Sequence, residues 1–199
     1  MAFRDLREFI SALEARGLLK RISAEVDCAL EITEITDRVS KMKGAGNVAL
    51  LFENVRGYRV PVLMNAFGTM ERMAMALGVE KVDDVADEIR SLLRLPYISF
   101  SHKMDLVSLI PMARNALRFP KYVGNAPCQE VIIKDNPSLD EFPILTCWPG
   151  DGGPFITLPL VFTKNPTTDK RNVGMYRLQK YDARTTGMHW HILKNCAEN

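Results

Sequence analysis

The sequence predicts an α/β (α+β) protein in which a mixed α/β domain precedes the first strands of a β-barrel. Helical patterns and short apolar segments share the first half of the chain, whereas short extended segments divided by turn residues fill the second half, from Cys128 onward. Residues 119–127 have the character of a linker between these two patterns. We therefore expect an N-terminal α/β domain at residues 1–120 and a partial barrel at residues 121–199.

Five helices are predicted in the N-terminal domain. In the first, residues 4–16, apolar side chains recur at spacings of three and four and so share one face, and Gly17 supplies the C-terminal stop. Similar patterns predict helices at residues 32–42, 70–77, 82–93 and 106–117. Pro111 interrupts the last of these, because proline lacks the amide proton that a helix interior needs.

Strands are predicted wherever a short apolar run is bounded by turn residues. Two such runs, residues 49–55 and 61–67, flank a turn around Gly57 in the N-terminal domain. The barrel segments are predicted at residues 129–134, 143–147, 155–163, 173–181 and 187–194.

The composition argues against a nucleic-acid partner and against a membrane span, the first through the distribution of charge and the second through the length of the apolar runs. The 199 residues include 26 basic and 24 acidic side chains, a formal charge of +2, without a clustered Lys/Arg stripe. No run of about eighteen apolar residues occurs, and the N-terminus opens into a charged amphipathic pattern rather than a signal peptide. Four scattered cysteines with no Cys-x-x-Cys pair predict reduced thiols. These features together predict a cytoplasmic protein without a transmembrane segment.

The segment Asn172-Val-Gly-Met-Tyr-Arg177 contains the residue types of a ligand site. On a strand, Asn172, Gly174 and Tyr176 face one way, whereas Val173, Met175 and Arg177 face the other. An Asn carbonyl can bind a hard cation, and an Arg guanidinium can hold a phosphate or carboxylate in bidentate fashion. The alternative interpretation is a strand end with a turn-forming Asn and a solvated Arg.

Two other segments have weaker signals. The motif Asp151-Gly-Gly153 is interpreted as a tight turn whose glycines adopt positive φ angles at low cost. His189 and His191 would project from the same face of a strand, with Trp190 on the opposite face. No third ligand at a suitable spacing accompanies the two histidines, so we expect them beside a bound ligand, or hydrogen-bonded within a barrel, rather than on zinc.

Four short motifs occur along the chain in a fixed order: Leu51-Phe-Glu-Asn-Val55, Ala126-Pro-Cys-Gln-Glu-Val131, Asp151-Gly-Gly153 with Ile156-Thr157, and Asn172-Val-Gly-Met-Tyr-Arg177. Their order and spacing resemble the UbiD family of decarboxylases, and in particular its aromatic-acid and polyprenyl-hydroxybenzoate carboxy-lyases. The resemblance covers almost the whole chain.

The resemblance implies a split β-barrel that binds prenylated FMN, with its phosphate bridged to the protein by a divalent metal, usually manganese. It implies that Asn172 is a metal ligand. The residues that it places around the cofactor are Met175, Tyr176, Arg177, His189, Trp190 and His191. The implied substrate is an aromatic or α,β-unsaturated carboxylic acid, such as the polyprenyl-hydroxybenzoate of ubiquinone biosynthesis, and a flavin prenyltransferase is the implied supplier of the cofactor.

The family pattern departs from this sequence just after His191. The family pattern has a histidine at position 193, then a basic residue followed by Gly or Asp. This sequence has Leu193, Lys194 and Asn195 instead. The acid/base carboxylates of the family have no counterparts in these 199 residues, so no catalytic residue is predicted. We expect an N-terminal portion of a UbiD-like enzyme that is inactive alone and that oligomerises to cover the open barrel edges. The alternatives are a non-catalytic structural or interaction module and a small FMN-binding protein.

Overall fold

The computed structural model describes residues 3–94 and 123–190. Four α-helices lie in the first range: α1 Leu6–Ala15, α2 Glu31–Ser40, α3 Met70–Leu77 and α4 Val82–Arg94. The strands of the first range are β1 Leu19–Ile22, β2 Ala49–Phe52 and β3 Val62–Met64. Those of the second range are β4 Phe155–Ile156, β5 Leu160–Lys164, β6 Arg171–Met175, β7 Leu178–Lys180 and β8 Thr186–Met188.

The N-terminal sheet has the order β1-β2-β3, with β1 parallel and β3 antiparallel to the central strand. All four side chains of β2 are buried. On one side Ala49 packs with Phe9 and Leu13 of α1 and with Met75 of α3. On the other side Leu50 and Phe52 pack in a second cluster, whose other buried members are Val26, Ile32, Val55 and Leu145. The central strand is therefore covered on both faces.

Local capping explains where the helices begin and end. The Asp5 side chain accepts a hydrogen bond from the Glu8 amide at 2.9 Å, which satisfies a free amide of the first turn of α1. Thr69 performs the same role for α3, which ends at Gly78 in the left-handed region with φ of 72°. The helices predicted at residues 4–16, 32–42, 70–77 and 82–93 are thus present, whereas the prediction for residues 106–117 lies outside the described residues.

The second range forms two small antiparallel sheets. Strands β5 and β6 form a two-stranded hairpin, and the other sheet has the order β4-β7-β8. These sheets agree with the predicted mixed α/β class and do not close a barrel within the described residues. Among those residues, no helix combines the length and the apolar character needed to cross a membrane.

Four strand predictions in the second range are wrong, and one of them, residues 143–147, forms only isolated bridges at Leu145 and Thr146. Residues 129–134 form no strand, because Pro127 begins a short 3-10 turn and the apolar side chains that follow are exposed without a paired strand. The run predicted at residues 155–163 is divided between β4 and β5, since Pro159 has no amide to donate. The run predicted at residues 173–181 is divided between β6 and β7, and the two strands belong to different sheets.

A short ladder joins the two ranges. Ala29 forms a parallel bridge with Thr146, and the Leu30 amide donates to the Thr146 carbonyl at 2.9 Å. The Thr146 amide donates in turn to the Cys28 carbonyl at 3.2 Å. Since the adjacent Leu145 is buried in the same cluster as Phe52, the second range completes the core of the N-terminal sheet.

Candidate functional site

One face of the β4-β7-β8 sheet borders a cleft of about 440 Å³, which we call the Arg177 cleft. Antiparallel pairing places Phe155 opposite Gln179 and Gln179 opposite Gly187, so that these positions share one face. The His189 amide donates to the Arg177 carbonyl at 3.1 Å, which continues this pairing beyond β8. The residues that line the cleft are Phe155, Arg177, Gln179, Tyr181, Gly187, Met188 and His189.

The Arg177 guanidinium is held by two contacts. Its central carbon lies 3.6 Å from the centroid of the Phe155 ring, a cation-π arrangement. Its Nη2 donates to Asp151 Oδ2 at 2.8 Å. The Asp151 side chain is only 15% exposed, whereas that of Arg177 is 41% exposed. The cation therefore lies at the edge of the cleft with one partner below it and another beside it.

The Asp151-Gly-Gly153 segment is a turn, as predicted, and it is fastened to the sheet. Gln179 Nε2 donates to the Gly152 carbonyl at 2.7 Å, and a Cβ atom on Gly152 would lie 2.8 Å from that nitrogen. Gly153 has a φ of 139°, which a residue with a side chain rarely adopts. The predicted positive φ is thus present at Gly153 and not at Gly152, where a side chain would have to displace the end of Gln179.

Asn172 lies on the half-buried face of the hairpin rather than in the Arg177 cleft. Its Nδ2 donates to Tyr176 Oη at 3.2 Å and approaches Thr163 Oγ1 at 3.5 Å. Tyr176 is only 4% exposed, and its ring lies over Gly174, where a Cβ atom would come within 2.4 Å of a ring carbon. The predicted alternation therefore holds from Asn172 to Tyr176, because these three residues meet on one side.

The predicted site residues fall into three groups. Arg177 and His189 line the same cleft, and Asn172 and Tyr176 form a separate hydrogen-bonded pair. Met175 lies on the opposite, exposed face of the hairpin, beside Leu160 of the neighbouring strand. Trp190 is 48% exposed, and His191 lies outside the described residues. In the described part of the chain, no group of three or more His, Cys, Asp or Glu side chains is placed to hold a metal ion.

Sequence reasoning missed five residues of the cleft lining, and it missed Asp151, which contacts Arg177 without lining the cleft. The five are Phe155, Gln179, Tyr181, Gly187 and Met188. Their signal was ambiguous, since Asp151 belongs to a motif interpreted as a plain turn and the others lie in predicted strands. The cleft also affects a neighbouring thiol. Burial raises the pKa of Cys147, and the nearby Arg177 charge opposes that shift in part.

Two family models match the chain. The model described as the 3-octaprenyl-4-hydroxybenzoate carboxy-lyase N-terminal domain matches residues 10–92, and the model of the Rift-related domain of the same carboxy-lyase matches residues 121–199. Together they cover most of the first described range and all of the second.

Relatives of known sequence are much longer than this chain. An uncharacterized protein of Archaeoglobus fulgidus is 49% identical over 200 residues, which cover 100% of this chain and 40% of the relative. A second, from Aquifex aeolicus, is 43% identical over 97% of this chain and 39% of the relative. The chain thus spans about 40% of the length of these two relatives.

Solved structures of UbiD-class enzymes resemble the fold. An evolved dimeric form of HmfF from Pelotomaculum thermopropionicum, in complex with prFMN, has a TM-score of 0.77 and 28% identity over 98% of this chain and 40% of its own. The FMN complex of HmfF has a TM-score of 0.71 and 29% identity, with coverage of 94% and 36%. The closed form of vanillic acid decarboxylase from Sedimentibacter hydroxybenzoicus has a TM-score of 0.76 and 26% identity, with coverage of 99% and 39%.

Proposed function

This chain belongs to the UbiD family of carboxy-lyases, and from that premise we propose that it forms part of the cofactor and substrate surface of a prenylated-FMN-dependent decarboxylase. The reaction would be the non-oxidative removal of carbon dioxide from an aromatic or α,β-unsaturated carboxylic acid, such as a polyprenyl-hydroxybenzoate of ubiquinone biosynthesis. A flavin prenyltransferase would supply the cofactor, and the cytoplasm would be the compartment.

The fixed position of Arg177 is the observation that supports this proposal best. A guanidinium at the edge of a cleft, 3.6 Å above an aromatic ring, suits an anion attached to a flat ring system. The carboxylate of an aromatic substrate has that character, and the cofactor phosphate, which is joined to the flavin ring through the ribityl chain, is a second anion that an arginine can bind. His189 lines the same cleft and adds an imidazole to its polar groups.

The residues of the cleft fit part of a flavin. Phe155 and Met188 provide apolar surface, while Arg177 and Gln179 provide polar groups that fix orientation. When bound, prenylated FMN would accept electron density from the substrate as carbon dioxide leaves. The contribution of these side chains would be to bind and orient the anionic groups and to limit the access of water.

Manganese has less support. Asn172 remains our proposed metal ligand through its side-chain oxygen, because its amide nitrogen already faces Tyr176 and Thr163. The described residues contribute no carboxylate or imidazole cluster around it. We therefore assign manganese no role in the chemistry.

Ligand titration of the purified 199-residue chain tests the proposal. FMN, prenylated FMN and 4-hydroxybenzoate would be added separately, with binding followed by flavin fluorescence, flavin absorbance and calorimetry respectively. We expect saturable binding of at least one flavin and a roughly tenfold loss of affinity for flavin or benzoate in Arg177→Ala. Arg59→Ala is the matched control, since Arg59 is an exposed arginine that does not line the Arg177 cleft. Equal affinities for all three ligands in Arg177→Ala and the parent chain would contradict the proposal.

An interaction module is the second candidate, and one observation favours it. The exposed face of the β5–β6 hairpin consists of two cross-strand apolar pairs, Leu160 with Met175 and Phe162 with Val173, which are all more than half exposed. Apolar side chains clustered in this way are typical of an association surface.

Sedimentation velocity tests this second candidate together with the proposed homo-oligomer. We expect concentration-dependent association that Phe162→Ser weakens several-fold. Val131→Ser, which alters an apolar residue 80% exposed outside the hairpin, should leave association unchanged. A parent chain that is monomeric at all concentrations would exclude the hairpin face as a self-association surface.

A further inference from the structure

Arg177 has to be restrained if it is to bind an anion with useful affinity. An arginine side chain at a cleft edge has many rotamers, and ordering it on binding reduces the affinity. The side chain is 41% exposed, so general packing alone does not restrain it. Its two specific contacts, the Phe155 ring and the Asp151 carboxylate, are therefore the features that determine its orientation.

Asp151 is itself fixed, which makes it suitable for this task. The Asp151 amide donates to the Trp148 carbonyl at 3.0 Å, and the adjacent Gly152 carbonyl accepts from Gln179 at 2.7 Å. With its side chain largely buried, the carboxylate has little freedom to follow a moving partner. The turn and the sheet thus present the carboxylate at a defined place.

The contact with Asp151 leaves most of the guanidinium available. A guanidinium has five N–H donors in a planar fork, and Asp151 takes one of them at Nη2. Phe155 covers one face of the plane without using any donor. Nη2 keeps a second proton, and together with the neighbouring N–H of Nε or of Nη1 it forms the kind of edge that binds a phosphate or carboxylate in bidentate fashion.

We propose that Asp151 and Phe155 are positioning residues that orient Arg177 toward an anionic group in the cleft. This inference rests on the proposed function, because it takes the Arg177 cleft to be the place where a cofactor phosphate or substrate carboxylate binds. It assigns the Asp-Gly-Gly turn a role beyond reversing the chain direction.

Asp151 could instead act as an anion that competes with the ligand for Arg177. In that role, removal of the carboxylate would change the ligand affinity in the opposite direction. If the carboxylate merely neutralised Arg177, its removal would strengthen the attraction of the cleft for an anion. If it orients the guanidinium, its removal weakens binding, although the local charge becomes more positive. Asp151→Asn, which keeps the size of the side chain, separates these two roles.

A double-mutant cycle on the full chain provides the test, with FMN and 4-hydroxybenzoate as probes. The reference probe is the one that binds more weakly to Arg177→Ala than to the parent chain. We expect Asp151→Asn to bind that probe about fivefold more weakly than the parent chain, and Phe155→Leu to bind it less well by a similar factor. In the Arg177→Ala background, Asp151→Asn should have no further effect. Thermal unfolding and circular dichroism of each variant check that the fold is retained.

Arginine side-chain NMR gives a readout that a structural role alone would not change. The Arg177 Nε–H signal should show restricted motion in the parent chain and greater mobility in Asp151→Asn, while the Nε–H signal of Arg21 should remain unaltered. Equal or tighter binding in Asp151→Asn, with Arg177→Ala still impaired, would overturn this inference and leave the proposed function standing. Equal binding in Arg177→Ala and the parent chain would overturn both.

Discussion

The central strand of the N-terminal sheet and the β5–β6 hairpin are both rich in apolar residues, yet their surroundings are opposite. In β2, Leu50 is 1% exposed and Phe52 is fully buried, because packed clusters cover both faces of the strand. In the hairpin, Leu160 and Phe162 are 72% and 71% exposed. An apolar pattern thus identifies a face that disfavours water, but only the rest of the structure determines whether anything covers it.

The largest effect is expected from breaking the covered strand. Phe52→Ala removes a ring that is fully buried between Val26, Ile32 and Leu145, and such cavities cost about 3–5 kcal/mol. Urea unfolding of the 199-residue chain should therefore show a much lower midpoint. A loss below about 1 kcal/mol would mean that the cluster relaxes around the cavity.

The N-terminal part of the structure also contains a buried cation, Arg72, which extends the comparison to polar side chains. Arg72 is fully buried, and its guanidinium donates to the Asn47 carbonyl, the Asn47 side-chain oxygen and the Asn65 carbonyl. Burial lowers the pKa of this group, which shows that desolvation opposes the charged form.

Arg72→Ala would remove one donor from each of those oxygens, and we expect a loss of about 3 kcal/mol in the free energy of unfolding. Denaturant unfolding measures it, with Arg59→Ala as the exposed control. If Arg72→Met matched the parent chain in stability, the charged hydrogen bonds would contribute nothing beyond the packing of the side chain.

A third variant probes the half-buried face of the hairpin. In Gly174→Ala the new methyl group would lie 2.4 Å from the Tyr176 ring, so the ring must move and its contact with Asn172 is lost. We expect a cost of about 1–3 kcal/mol, seen as faster hydrogen exchange of the β5 and β6 amides. Gly150→Ala is the control because a Cβ atom there meets nothing within 4 Å.

The smallest effect is expected at the exposed face. Phe162→Ala should change the free energy of unfolding by less than about 0.5 kcal/mol, since the ring has little contact to lose in the isolated chain. Urea unfolding at low protein concentration, where association is minimal, gives this value. A loss close to that of Phe52→Ala would show that the hairpin face is covered in solution.

Local periodicity explains why the helices could be predicted from the sequence. Residues three and four apart on α1 or α3 meet within one element, and the caps at Asp5, Thr69 and Gly78 are local as well. The strands were harder to predict, because the break after Met175 depends on which sheet each half joins. The mixed α/β class was nevertheless correct.

The candidate site shows the same division between local and distant information. Arg177 and His189 were predicted from short motifs, and both line one cleft. The partnership of Arg177 with Asp151 joins residues 26 positions apart, and no pattern along the chain reports such a contact. The binding roles assigned to all seven site residues remain predictions: Asn172, Met175, Tyr176, Arg177, His189, Trp190 and His191.

The ladder between residues 28–30 and 145–146 has a consequence for the order of events during synthesis. The cluster around Phe52 includes Leu145, so the first hundred residues leave the ribosome before one member of that cluster has been made. Closing that contact joins residues far apart in the sequence, which slows folding and prolongs the exposure of apolar surface. An expression boundary drawn at residue 120 would make that transient state permanent.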